Sequence, residues 1–301
     1  MANAFLTAER ISRTALALLR RDIVLPRLVW AQADADFRGA KDDTVTLRVP
    51  AVLTARDYGM RNDRTNPIVI DDLAELSVDV KLTSQPYSAV AITDEQLTLD
   101  IADFAGQVLD PQTRAVAEKL EDTIAAALDA ADVPADSEIE LDEDNPVHTA
   151  LDARRILNIN NVPMSERVLL LGANVEMTFL DDDRLIRVDA SGSDSALRDA
   201  TIGRVAGFTV VTSNAIDPDV GYAFHRTAVA FANMAPVVPD GATMGESRNI
   251  AGLAMRWIRD YDPTHLQDRS VVSAFAGAAS VDDGDPDTPV NMRLVKISTG
   301  S

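Results

Sequence analysis

Two short segments of this chain alternate apolar and polar residues with a period of two, yet stand far apart in sequence. Thr44–Val49 places Val45, Leu47 and Val49 on one side, and residues 77–83 repeat the pattern with Val78, Val80 and Leu82. Such alternation marks half-buried strands. Between them lie about 27 residues, whereas an ordinary hairpin loop uses roughly 2–5. The centre of the gap, residues 56–67, is polar and carries Gly and Asn-Pro turn signals. Paired strands at its base give such a loop a stiff stem, so it reads as a projection that binds something rather than as a disordered insert.

The strongest helical signals follow the second strand. Thr93-Asp94-Glu95-Gln96 is a capping box, in which the Thr hydroxyl and the Gln side chain each satisfy a backbone N–H that a first turn leaves free. Asp110-Pro111 opens a longer helix, with Asp as cap and Pro at the first helical position. No breaker occurs from 111 to 131, and Val116, Leu120, Ile124 and Leu128 recur at every fourth residue. With a rise of about 1.5 Å per residue, this helix spans roughly 30 Å, enough to cross a domain. Val133-Pro134 ends it.

Upstream, Thr7 is a candidate N-cap with Glu9 in the first turn, and Ile11, Ala15, Leu18 and Leu19 share a helical face. Pro26 interrupts that pattern. Leu28, Val29, Trp30 and Phe37 then follow without a period, which suits an extended arm. Beyond the long helix, the acidic stretch 136–144 reads as a linker, 146–157 as a helix and Arg167–Leu171 as a buried strand. Asn174 is the expected cap of a helix reaching about Leu180, 191–195 a loop, and 207–212 a strand. This alternation predicts an α/β module with its own core. The last third is strand-rich, at 222–232, 253–261, 271–275 and 292–297, with loops at 236–245 and 282–289.

Composition narrows the classes. The 301 residues are 46% hydrophobic and 25% charged, as in globular proteins. There is no cysteine, which excludes disulfides and thiolate metal sites. No run of about 18 apolar residues occurs, and Glu9, Arg10, Arg13, Arg20 and Arg21 interrupt the N-terminal apolar residues. A soluble protein made in a cytoplasm is expected, without a signal peptide or a membrane partner. The net charge of −20 disfavours phosphate backbones over the surface as a whole. Residues 1–30 run against it, with five arginines and two acids, a net of +3. They are either a solvated helix face or a basic arm that docks on an acidic neighbour.

No enzymatic constellation assembles. His148, His225 and His265 lack HxH or HExxH spacing, residues 191–195 lack the nucleophile-elbow pattern, and Gly203 and Gly207 suit a turn before a strand rather than a phosphate cradle. The acidic runs 181–183 and 282–287 lack the calcium-loop spacing and read as solvated turns. No catalytic residue, metal site or cofactor is expected.

Several segments, taken in order, resemble the major capsid (coat) proteins of tailed bacteriophages with the Hong Kong 97-type fold, in particular the short-tailed-phage branch. They are 15–30 (ALALLRRDIVLPRLVW), 43–50 (DTVTLRVP), 92–104 (ITDEQLTLDIADF), 150–167 (ALDARRILNINNVPMSER), 202–211 (IGRVAGFTVV), 222–231 (YAFHRTAVAF) and 252–261 (GLAMRWIRDY). The specificity lies in the series rather than in any one segment. The resemblance implies an α+β fold with an N-terminal arm (1–42), an extended loop on a β-ribbon (43–83), a peripheral domain with the spine helix (84–144) and an axial domain (145–235). Residues 236–301 return to complete both domains and form the tail. Some relatives carry a domain inserted after the strand matching 208–211, and here Asp217-Pro218-Asp219 leads almost directly to Tyr222, so none is expected.

By the same resemblance the chain self-assembles into pentamers and hexamers of an icosahedral shell around double-stranded DNA, inside the bacterial host cytoplasm. Portal protein is an expected partner, scaffolding or decoration proteins are further candidates, and the DNA is enclosed without sequence-specific contacts. Arg56, Arg61, Arg64 and Trp30 are the candidate inter-subunit contacts. Some capsids of this fold join a loop lysine to a neighbour's asparagine. The only lysines here are Lys41, Lys81, Lys119 and Lys296, none of them at the loop tip, so a non-covalent shell is expected. Two alternatives stay open at this point: an encapsulin-like nanocompartment shell and a cytoplasmic α/β hydrolase or transferase.

Overall fold

The fold is that of a computed structural model, which describes residues 23–32, 44–49, 55–61, 64–65, 67–70, 76–182, 203–250, 253–283 and 289–299. The helical signal from Thr7 to Leu19, Phe37, Lys41, Asp183, the loop 191–195 and residues 284–288 lie outside this set.

A helical turn Leu25–Leu28 leads into β1 (Trp30–Gln32), and β2 (Thr44–Val49) pairs antiparallel with β3 (Leu76–Lys81), as the alternation predicts. β4 (Tyr87–Thr93) runs into the capping box: Gln96 N–H donates to Thr93 Oγ1 at 3.3 Å, and Thr93 N–H donates to Gln96 Oε1 at 3.2 Å. The long helix α1 (Asp110–Asp129) does not start at an Asp110 cap. A π-helical turn Ala105–Leu109 feeds straight into it, so Asp110 is already helical (φ −61°, ψ −48°). Asp103 caps instead, accepting the Ala105 N–H on Oδ1 at 3.1 Å and the Gln107 N–H on its carbonyl at 3.0 Å.

Four further readings are corrected. The acidic stretch 136–144 is more than a linker, because β5 (Glu138–Glu140) joins β15 (Leu294–Ser298) as a parallel edge strand. Its single apolar residue, Ile139, is half-buried against the core while both glutamates face outward, a pattern too short to register as periodicity. After α2 (Pro146–Ile159) and β6 (Arg167–Leu171), the helix α3 (Ala173–Asp181) is not capped by Asn174. The Asn174 and Val175 N–H groups donate to the Pro218 carbonyl at 3.0 and 3.4 Å, and the Asn174 amide donates to Asp219 at 2.6 Å. Past β7 (Arg204–Val205) and β8 (Phe208–Thr212), which turn at Gly207 with φ +89°, the predicted strand 222–232 is two strands. β9 (Val220–His225) and β10 (Val229–Met234) belong to different sheets and are parted by a 3-10 turn, Arg226–Ala228. β11 (Met244–Ile250), β12 (Leu253–Asp262), β13 (Gln267–Ser273) and β14 (Phe275–Ser280) follow ahead of β15, and the predicted strand 271–275 spans two of them.

Among the described residues the strands form sheets in the orders β5-β15-β9-β6-β8-β7, β11-β12-β13-β4 and β1-β10-β14, besides the β2–β3 ribbon. β6 explains how the first sheet is used. Val168 and Leu170 join the cluster built on α1, whereas Leu169 and Leu171 join the one built on α2 and α3. A strand covered on both faces must be apolar throughout, as Arg167–Leu171 nearly is. The α1 stripe predicted from sequence (Val116, Leu120, Ile124, Leu128) is fully buried. It meets Val168, Leu170 and Phe224 of that sheet, Met255 and Val272 of the second, and Phe231 and Ala276 of the third in one cluster.

The ribbon is anchored at its base. Val78 and Val80 of β3 pack on Ala230, Ala232 and Val281, and the Thr83 and Ser84 N–H groups both donate to the Ala276 carbonyl at 3.0 Å. Gly277 has to be glycine, since a Cβ there would land on the Lys81 carbonyl. We predict that Leu120→Ala costs about 2–5 kcal/mol of unfolding free energy, as cavity formation does elsewhere. Gly277→Ala should cost about 1–3 kcal/mol, as overpacking does. Urea unfolding checks both, and wild-type midpoints would contradict the packing described.

Candidate assembly surface

The described part of the ribbon tip is extended and exposed. Arg56, Arg61 and Arg64 lie on it, and the Arg64 guanidinium stands 5.5 Å from the centre of the Tyr58 ring. Arg61 and Arg64 adopt φ of 58° and 57°, a left-handed conformation uncommon for non-glycine residues, as in a sharp turn. The three arginines therefore share one tip. Trp30 does not share it: the indole is half-buried in the small cluster that anchors the ribbon base.

Sequence reasoning missed the other half of the tip. Met60 is 94% exposed, and Ile68, Val69 and Ile70 form a run that is 66%, 66% and 84% exposed. Three consecutive β-branched residues neither alternate nor repeat at helical spacing, so periodicity cannot flag them; the signal available was an apolar triplet inside a polar loop. Contiguous exposed apolar surface of this kind marks interaction sites.

The four-stranded sheet has an inner and an outer side. Its inner side meets Phe104 and α1: Arg259 lies over the Phe104 ring at 4.6 Å and bonds Asp268 through Nε at 3.0 Å, and Trp257 Nε1 donates to Ser270 Oγ at 3.0 Å. Ser270 Oγ in turn donates to the buried Gln112 of α1 at 2.7 Å. The outer side carries the cross-strand row Ala89–Val271–Ile258, with Tyr87 nearby at 72% exposure. The Arg269–Asp260 pair at 2.5 Å flanks it and holds the Arg269 guanidinium above its ordinary pKa. At the sheet's end, Tyr261 donates to Asp94 at 2.9 Å, and that bond raises its phenol pKa.

The three histidines sit on separate elements with their own partners. His148 lies 3.2 Å from Asp152 on α2, and His265 lies 2.8 Å from Asp262, whose carboxyl it holds below the usual range. His225 ends β9. Among the described residues no three His, Asp or Glu side chains converge as metal ligands.

Solved structures share this architecture. The chain is similar to that of Mycobacterium phage Che8 at 19% identity (TM-score 0.64, covering 92% of this chain and 91% of that one). It is similar to the capsid of cyanophage P-SCSP1u at 12% identity (TM-score 0.70, 96% and 91%) and to the head of Helicobacter pylori bacteriophage KHP40 at 13% (TM-score 0.63, 86% and 85%). No curated protein sequence matches. The architecture is thus the Hong Kong 97-type capsid fold, α+β as the sequence resemblance implied. The profile described as "Phage capsid protein" matches residues 75–274, and the chain belongs to that family.

Replacing Ile68, Val69 and Ile70 together by Ser should leave the isolated subunit within about 0.5 kcal/mol of wild type, as exposed substitutions generally do. Assembly into large particles should be lost. Urea unfolding and sedimentation velocity read the two effects separately, and unimpaired particle formation would remove the triplet from the interface.

Proposed function

We propose that this capsid protein is the major coat subunit of a tailed-phage head, closing as pentamers and hexamers into an icosahedral shell around double-stranded DNA. The observation that carries the reading is the exposed apolar and arginine-bearing tip on an anchored ribbon, within a chain whose family is that of phage capsids. Ordering such a projection costs conformational entropy that only a bound neighbour offsets. A tip on one copy and an apolar sheet face on the next make a heterologous contact, which generates rings when its rotation closes.

In this reading the tip of one subunit covers the Ala89–Val271–Ile258 row of its neighbour, and Arg56, Arg61 and Arg64 meet that neighbour's acidic surface. Each interface should bury on the order of 1,600 Å² or more. The arm (1–42), ribbon (43–83), peripheral (84–144) and axial (145–235) divisions, with 236–301 returning through both, are the domain layout we assign. Only residues 213–219 join β8 to β9, which supports a coat protein without an inserted domain. Its role is structural rather than enzymatic. Assembly takes place in the host cytoplasm, portal protein occupies one vertex, and scaffolding or decoration proteins join where the phage encodes them.

Three experiments test this. Arg56, Arg61 and Arg64 replaced together by Ala should lower particle yield at low salt and leave the subunit's unfolding midpoint unchanged; full yield at low salt would exclude these charges as organising contacts. Particles boiled in denaturant should run as one band at monomer mass, because Lys81 sits at the ribbon base and the tip holds no lysine. A covalent ladder would contradict the non-covalent shell. Negative-stain microscopy of the purified protein should show closed shells, and a monomer under every salt and concentration would overturn the proposal.

A further inference from the structure

The turn Arg226–Ala228 is where the chain passes from the six-stranded sheet into the three-stranded sheet. The ends of β9 and β10 meet three connecting segments there, those before β1, β6 and β15. The His225 N–H donates to the Arg293 carbonyl at 3.1 Å, and the Arg226 N–H donates to the Glu166 carbonyl at 3.1 Å. Arg226 Nε donates to the Val29 carbonyl at 3.3 Å, and the Asn291 amide donates to the Ala228 carbonyl at 2.8 Å. The turn itself is capped by a side chain: Thr227 N–H donates to His225 Nδ1 at 3.3 Å.

The surrounding bonds fix the state of that ring. The Thr227 N–H can only donate, so His225 Nδ1 accepts from it; the Thr227 hydroxyl, which accepts from Arg293 Nη1 at 2.8 Å, then donates its own proton to the same Nδ1, also at 2.8 Å. Nδ1 is therefore an acceptor twice over, and the ring is neutral with its proton on Nε2. His225 is 6% exposed. The charged groups that face it are Arg293, itself held by Asp283 at 2.6 and 2.7 Å, Glu166 and Arg167.

We propose that His225 is an acid-sensitive latch between the two sheets, whose protonation at Nδ1 expels the Thr227 N–H and releases the Arg226–Ala228 turn. Burial, more than any neighbour, disfavours the imidazolium; Arg293 and Arg167 add to this and Glu166 opposes it, so the pKa lies below 6.5. The sign follows. The unfolded chain takes up the proton first, so this contribution is complete above about pH 6.5 and is lost as pH falls from there to the folded-state pKa. Within that window the folding equilibrium constant falls by up to about tenfold per pH unit, the limit for one proton. The latch does not depend on the coat-protein reading, because it is a property of the single chain.

The test compares the full-length chain with His225→Asn, whose amide oxygen can accept the Thr227 N–H but does not titrate. Urea midpoints measured from pH 7.5 to 5.0 should fall for wild type and fall much less for the variant; parallel curves would overturn the proposal. Histidine side-chain NMR gives a readout that a merely structural role would not move. His225 should sit in the Nε2–H tautomer at pH 7.5 and titrate below the ordinary histidine range. An Nδ1–H tautomer or an ordinary titration would refute it. If the His225→Asn variant fails to fold, His148→Gln and His265→Gln, both at exposed histidines, assign the His225 signal by elimination in a folded chain.

Discussion

One helix is made to serve three sheets. The buried stripe of α1 contacts the six-stranded, four-stranded and three-stranded sheets in a single cluster, so the relative placement of all three depends on one rod roughly 30 Å long. Apolar packing alone would let sheets slide along such a rod. Buried polar side chains on the same helix remove that freedom. Gln112 donates to the carbonyls of Ser88 and Ser270 at 3.1 and 2.9 Å, which fixes β4 and β13 in register with the first turn of α1. Glu121 accepts the N–H groups of Val24 and Leu25 at 2.8 and 3.1 Å, which ties the start of the turn Leu25–Leu28 to the helix middle. Burying these groups is tolerable because each is hydrogen-bonded, and each bond specifies one position where packing would accept several.

The same logic places the ribbon. Its base is held by the packing of Val78 and Val80 and also by backbone contact, the Lys81 carbonyl against Gly277 and two N–H groups on the Ala276 carbonyl. Backbone contact sets direction more tightly than side-chain contact does, because it has no rotamers to exchange. A projection aimed this way keeps one direction relative to the sheets beneath it, which a loosely hinged one could not.

What the sequence made legible was what periodicity encodes. The β2 and β3 strands, the α1 stripe and the continuous apolar run of β6 all appear where their repeat predicts them, and the Thr93–Gln96 capping box is present bond for bond. What it hid were features that tertiary context decides. The strand predicted at 222–232 is apolar at both ends, and nothing local shows that its halves belong to different sheets; the break is made by His225 turning back onto Thr227. Asp110 looked like a cap because Asp-Pro so often is one, but Asp103 lies seven residues upstream and the chain was already helical. At the tip, charge drew attention to Arg56, Arg61 and Arg64, while the apolar triplet beside them had no period to betray it.

These placements converge on β10. Its alanines 230 and 232 receive Val78 and Val80 from the ribbon, its side partners are β1 and β14, and its first residue follows the turn that His225 caps. Alanine is the residue type that lets two strands approach this closely while staying apolar, so the ribbon lies against β10 with little side chain between them. A shift in the Arg226–Ala228 turn would therefore be passed to β10 and from β10 to the ribbon base, with no soft layer to absorb it. Close-packed interiors transmit displacement in this way rather than damping it. A small rotation at the ribbon base becomes a larger displacement at its tip, so under the assembly proposed above the reach of the tip would depend on how firmly that one turn is held.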